Sequence, residues 1–320
     1  MGVKKEIFIG IKDVLSKEKK QLFYVLYYAS LEGILVLSIP LASSFIINSI
    51  VAHASISIVV LGFVVLATFV LITVLRILQE YIIEKFQQQV FVYKSFEVAQ
   101  NAYNIKKIHI DEPIKKVMNY FFDITIVQKF FPIFILEGAA LLIGIIISII
   151  LLLFFNIVLF ELGIIALLFY IGALLLLGHN GIRYAIKRSD EKHNTFYFLQ
   201  NVPFYKKEKE HMLEDLDNIL TDYVRARQKL FGVIIKQQTL SFFMQGIIIG
   251  GFLIVGGFLV VNGKLPIGEF VASEIIVVSI ISAINRFVKQ IDYIYEIAEG
   301  FYKVGKLTEA LTGKRYEEKI

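Results

Sequence analysis

Long apolar runs without a formal charge set the pattern of this chain. Gly33 to Leu75 contains no Asp, Glu, Lys or Arg, and a polar break at Asn48 to Ser57 divides it. With Leu22 to Leu31 it predicts two membrane helices joined by a short turn, because roughly 20 helical residues cross a hydrocarbon core about 30 Å thick. Gly138 to Phe160 and Leu162 to Ile182 predict two more, separated at Asn156 and Glu161. Gln237 to Gly263 is a fifth, and Pro266 to Phe287, interrupted by Glu269 and Glu274, is a sixth. The expectation is an all-α membrane protein with spans at about 22–48, 57–76, 133–155, 157–182, 237–261 and 266–287. A segment 1–20 precedes this unit of 21–311, and a tail 312–320 follows it.

Between the spans the apolar spacing becomes helical. No Gly or Pro occurs between Gly62 and Pro113, and Ile77, Tyr81, Ile82, Phe86, Val90 and Tyr93 recur at near three- to four-residue steps. Met212, Leu213, Leu216, Ile219, Leu220 and Tyr223 do the same beside a charged face. Helix 2 is therefore expected to run well past the membrane and helix 5 to begin well outside it. The two connections, 76–129 and 183–236, are equal in length, as a three-plus-three pseudo-repeat would have them.

Composition agrees: 57% of residues are hydrophobic, against about 45–50% in soluble domains. All but one of the 33 Lys and Arg lie in 1–20, the two long connections and the stretch from Arg286 onward; the exception is Lys264. By the positive-inside rule both termini and both hairpins are expected in the cytoplasm. The net charge of +5 is then a topology signal, and no nucleic-acid partner is expected. The first apolar segment is too long for a removable signal peptide and should be retained as helix 1. Thiolate chemistry is excluded, since there is no cysteine. The five histidines show no i,i+3 or i,i+4 pairing, so no metal site is expected.

Pro40-Leu41 followed by Phe45-Ile46-Ile47-Asn48 and His53 closes the first span. Gly256-Gly257 leads through Val261-Asn262-Gly263-Lys264-Leu265-Pro266 into Ile267-Gly268-Glu269-Phe270-Val271-Ala272, and Tyr223-Val224-Arg225-Ala226 lies on helix 5. Over about residues 20 to 311 this resembles the membrane domain of ABC exporters (the type IV transmembrane fold), in the type I secretion and bacteriocin-exporter branch. The resemblance implies a permease in the cytoplasmic or inner membrane of a bacterium, surrounded by membrane lipid and forming a homodimer or heterodimer through its membrane helices. The sequence departs from the family where it matters. No Gly-x-x-x-x-Gly-Lys-Ser/Thr phosphate loop is present, since Gly313-Lys314 lacks both the first glycine and the hydroxyl residue. ATP and magnesium would be bound by a separate ABC ATPase chain, and this chain is expected to be neither an enzyme nor the holder of a cofactor. Both hairpin tips are also short and lack the family's glycine, which keeps a second reading open: a non-transporting membrane scaffold or assembly partner. The importer-type permease, with its Glu-Ala-Ala-x-x-x-Gly loop, does not fit.

Glu32, Glu137 and Arg286 fall in apolar segments, where an isolated charge costs several kcal/mol. With Glu274 they are candidates for a substrate pathway, which the resemblance implies would run between helices 1, 3 and 6; for Arg286 above all, snorkelling to the interface is the plainer reading. Each hairpin turns at a proline beside lysines, which makes Ile110, Pro113, Ile114, Val202, Pro203, Phe204 and Tyr205 candidates for coupling to the ATPase. Short helices over 108–119 and 198–209, lying across the tips, are expected. Gly246 and Gly250 are expected to allow close helix packing.

Overall fold

The computed structural model describes residues 3–17, 19–53, 55–103, 114–206 and 208–312. It is 94% helical, with no strand among the described residues. The helices in chain order are α1 (Val3–Lys17), α2 (Lys19–Val36), α3 (Ser38–Val51), α4 (Ser55–Tyr103), α5 (Ile114–Met118), α6 (Ile124–Gln128), α7 (Gly138–Phe155), α8 (Ile157–Leu177), α9 (Gly181–Asn201), α10 (Lys209–Val261), α11 (Ile267–Lys289) and α12 (Ile291–Thr312). Six helical stretches are long and apolar enough to cross a membrane. They correspond to the six predicted spans.

The breaks have local causes. Helix 1 bends between α2 and α3 because Pro40 has no N–H for the Val36 carbonyl; the chain passes the gap with Leu37 N–H donating to Ile34 O at 3.2 Å. Asn156 leaves the helical region (φ −161°, ψ 131°) and caps α8, its Oδ1 accepting from Val158 N at 2.9 Å. The turn after α10 is a Schellman motif: Gly263 adopts φ +69°, Lys264 N–H reaches Leu259 O at 2.8 Å and Gly263 N–H reaches Val260 O at 2.9 Å. Pro266 then starts α11.

α4 has 49 residues and α10 has 53, or about 75–80 Å each, so each runs roughly 40 Å past the apolar part at the end opposite the short turns. α4 pairs there with α5–α6 as hairpin 1, and α9 with α10 as hairpin 2. α12 lies between them as the extension of helix 6. The N-terminal helix α1, for which no structure was expected, turns Ile7 and Val14 against this end and brings Gly10 onto Phe301.

Four apolar clusters form among the described residues, two of them large. Ile145, Leu152, Tyr170, Phe252, Ile276 and Ile281 join α7, α8, α10 and α11 among the spans. Phe86, Val90, Ile124, Phe130, Ile297 and Phe301 join hairpin 1 to α12 at the extension end. The apolar side chains left outside, such as Phe63, Leu66, Phe69 and Val70 on α4, face where lipid would lie.

Two local expectations change. At the tip of hairpin 2 no helix lies across 198–209. α9 continues to Asn201, Val202–Phe204 make one 3-10 turn, and Tyr205 is extended, because Pro203 has no N–H with which to carry the α-helix on. Ile114–Met118 is helical, and the rest of the expected first tip helix lies outside the described residues. Close packing at Gly246 and Gly250 is also absent, since a Cβ on either would meet nothing within 4 Å. Gly256 is the glycine of helix 5 that a neighbour uses, with Phe270 Cε2 2.6 Å from where its Cβ would stand.

Candidate functional site

The four charges expected along a pathway do not converge. Glu32 is buried between helices 1 and 2, its Oε1 accepting from Arg76 Nε at 2.7 Å and its Oε2 from Gln79 Nε2 at 3.0 Å. Glu137 is exposed and accepts Gln290 Nε2 at 3.0 and 2.9 Å. Arg286 is exposed and Glu274 half-buried, and neither forms an ion pair with another described residue. Helices 1, 3 and 6 pack on one another. Beside them, Leu152, Leu167, Phe252 and Ile281 line a small apolar cavity of about 30 Å³.

The tip candidates separate in the same way. Ile110 and Pro113 lie outside the described residues. Ile114 packs into the small core of Val117, Tyr120 and Leu311. Val202 is half-buried, Pro203 is exposed, and Phe204 is 72% exposed. Tyr205 stacks edge-on with Phe198 and donates its hydroxyl to Asp215. Phe204 and Tyr205 line a groove of about 680 Å³ together with Tyr197, Phe198 and Asp222. The two hairpins meet close by: Asn119 and Gln200 exchange amide hydrogen bonds of 2.9 and 3.1 Å, and Lys115 Nζ sits 5.8 Å from the Phe204 ring centre.

Three polar clusters were not anticipated. Within the spans, Tyr170, Ser241 and Asn285 form a closed triangle, in which Tyr170 Oη lies 2.5 Å from Ser241 Oγ and 3.0 Å from Asn285 Oδ1. Two hydroxyl hydrogens serve three oxygens, and Asn285 Nδ2 donates onward to Gln245 at 2.7 Å. The second cluster marks the edge of the spans, where Tyr295 donates to Gln237 Oε1 at 3.0 Å and Gln237 Nε2 donates to Leu174 O at 3.1 Å. Polar groups satisfied this way fasten membrane helices together.

The third cluster is ionic and lies at the extension end. Arg188 on α9 reaches Asp292 (3.2 Å), Glu296 (3.4 Å) and Glu299 (3.2 Å) on α12. Lys192, one turn on, reaches Asp123 at 3.0 Å and Glu299 at 3.5 Å, while His193 Nε2 is 2.8 Å from the second oxygen of Asp123. Lys303 and Asp190 pair at 2.6 Å nearer the tips. Asp123, His193, Glu299 and Lys303 are all buried. Burial pushes the Glu299 carboxyl up to about 7 and nearby Asp123 adds to the shift, against the pull of Arg188 and Lys192. One signal in the sequence was the i,i+4 spacing of Arg188 with Lys192 and of Glu299 with Lys303 on otherwise inward-facing helical faces. Among the described residues no group of three or more His, Asp or Glu is placed to hold a metal ion.

No protein-family model matches the chain, and a search of curated proteins finds no similar one. Fold and geometry define a class, that of helical membrane proteins with six apolar helices, here carrying two projecting hairpins.

Proposed function

We propose that this chain is the permease subunit of an ABC-exporter-like transporter, moving its substrate out of the cytoplasm with ATPase subunits supplied by a separate chain. One observation carries the reading: α4 and α10 each continue unbroken from an apolar span into a projecting hairpin, and the two hairpins come together at Asn119–Gln200 and Lys115–Phe204. Two long, stiff hairpins in contact with each other are what a transporter driven from outside the bilayer needs. On this reading the hairpins are cytoplasmic, the permease is a dimer, and Phe204 with Tyr205 meets the ATPase.

The scaffold reading has its own support. Helices 1, 3 and 6 close on one another, and the cavity that Leu152, Leu167, Phe252 and Ile281 line beside them is small. The double substitution Phe204→Ala with Tyr205→Ala separates the two. Phe204 is largely exposed, so the membrane fold should survive, while removal of a true anchor commonly costs 1–2 kcal/mol of binding, roughly tenfold. The variant should lose both the ATPase co-purified from the native cell extract and ATP-dependent export. Recovery of no ATPase with the unaltered chain, or normal export by the variant, would favour the scaffold.

A further inference from the structure

One face of α10 is apolar along most of the helix, and nothing among the described residues covers it. Leu213, Val224, Ile235, Gly246 and Gly257 follow one another at steps of 11 residues, and beside them so do Leu220, Phe231, Phe242 and Leu253. Eleven residues in three turns is about 3.67 per turn, close to the helix's own value of about 3.6, so the two ladders stay together on one nearly straight face. The large side chains on it are 39–57% exposed, and a Cβ on Gly246 or Gly257 would meet nothing within 4 Å. We propose that along this face α10 packs against α10 of a second copy of the chain.

The occupant follows from the length of the face and from where it lies. Leu213 to Gly257 is about 66 Å of helix. Lipid can cover Phe242 and Leu253, but Val224 and Leu213 stand about 20 and 36 Å beyond Gln237, which marks the edge of the spans. Whatever covers the whole face must therefore cross the membrane and project as far as α10 does, and a second copy has that shape. Its α4 is the less suitable helix, because exposed Lys85 and Gln88 interrupt the outward face past the span. Half-exposed side chains of this size offer on the order of 500 Å² per copy. A pair would bury about 1,000 Å², the area at which specific interfaces begin.

The residues beside the ladders fit such a pair. Two copies inserted the same way are related by a twofold axis along the membrane normal, so the helices run parallel, each level meets itself, and opposite flanks of the face oppose each other. Gln238 and Thr239 sit on opposite flanks at one level, neither side chain with a polar partner among the described residues. The twofold puts Gln238 beside Thr239 of the second copy. One ladder step further on, Ile249 meets Gly250 of the second copy, a large side chain over a residue with none, and Gly246 lets the backbones approach. Asp217 and Gln228 fall at the edge of the face, where they reach water. The face belongs to α10 alone, so the inference stands under the transporter and the scaffold reading alike.

The chain has no cysteine, so the test is disulfide formation by the full chain in native membranes. Val224→Cys and Gly246→Cys should each give a disulfide-linked dimer on oxidation with copper phenanthroline. Exposed Asn218→Cys and Lys229→Cys, on another side of α10, should not, since Cα atoms more than about 7 Å apart cannot be bridged. Val224→Glu and Val224→Lys, each expressed alone, should weaken dimerisation of the detergent-solubilised chain at least about tenfold by like-charge contact across the axis. Co-expressed with different tags, the two should restore it as a mixed pair, which a misfolded variant could not do. Absence of a disulfide at both Val224→Cys and Gly246→Cys overturns the proposal, even for a chain that is dimeric by mass. So does a Val224→Cys that links to another protein, or to Val92→Cys on α4 of a second copy, and not to itself. Unaltered dimerisation of both charged variants overturns it as well.

Discussion

The joint between helix 4 and its extension makes a demand on one atom. Tyr295 of α12 lies over Gly181 so closely that a Cβ there would fall within the ring. The ring has little freedom to withdraw, because Tyr295 is buried and its hydroxyl is bonded to Gln237. Gly181→Ala should therefore push α12 off the joint. Overpacking of this kind costs about 1–3 kcal/mol, and the lost Tyr295–Gln237 hydrogen bond adds about 1 kcal/mol. Against this stands up to about 1 kcal/mol from alanine's better helix propensity at the start of α9, leaving a net loss of about 1–3 kcal/mol. Heating detergent-solubilised protein at one fixed rate and counting what remains monodisperse gives the ranking, since unfolding of such chains is commonly irreversible. Tyr295→Phe should lose only the hydrogen-bond part. Tyr295→Ala alone creates a cavity, but in the Gly181→Ala background it also removes the clash, so the double variant should lose at least 1 kcal/mol less than the sum of the singles. Unaltered stability of Gly181→Ala, or strict additivity in the cycle, would show that the ring does not rest on this glycine.

Arg76→Ala should destabilise more than removal of a surface ion pair, by about 2–4 kcal/mol, because it leaves the buried Glu32 carboxylate without its cation; adding Glu32→Gln should restore most of the loss in the same thermal assay. Asp13 ties α1 to the buried Lys94 at 2.9 Å, and although burial works the other way, Lys94 and Lys17 hold its carboxyl below its usual value. Its contribution is therefore present above about pH 4 and lost as pH falls through the lowered value. Asp13→Asn, which leaves Lys94 with Glu97, should expose α1 to limited proteolysis at neutral pH and abolish the acid-induced increase seen with the unaltered chain.

What was legible in the sequence were the features that one helix decides alone. Charge-free runs marked five of the six spans and a run interrupted by Glu269 and Glu274 the sixth, Asn156 and the Gly263–Pro266 turn marked their limits, and the absence of Gly and Pro after Gly62 carried helix 2 far beyond its apolar part. The bend at Leu37 was also decided locally, by Pro40. What escaped were contacts between residues distant in the chain. Glu32 looks unpaired until α4 brings Arg76 and Gln79 beside it. Glu299 reads as one more charge on an amphipathic helix until α9 lays Arg188 and Lys192 across it. The glycines of helix 5 misled for the same reason, because small side chains permit close packing without saying which of them a neighbour will use; Phe270 takes Gly256 and leaves Gly246 open.

The distribution of these contacts says which part of the molecule can move. At the turn end the packing is backbone-close, with the place for a Gly268 Cβ taken by Asn48 and by the Ser44 carbonyl at 2.6 Å. At the extension end α12 is joined to hairpin 1 by Phe86, Phe130, Ile297 and Phe301. Pulling that surface apart would expose apolar area at about 25 cal/mol per Å² with nothing in return. Hairpin 2 is joined to the same helix by ions and by the smaller apolar cluster around Tyr295, and charges that separate into water regain their solvation, so the net cost of parting the ions is far below the strength of the individual pairs. The cheapest surface to part at this end is therefore the one between hairpin 2 and α12, although Lys192–Asp123 and Asn119–Gln200 also tie hairpin 2 to hairpin 1 and the unbroken α10 carries it into its span.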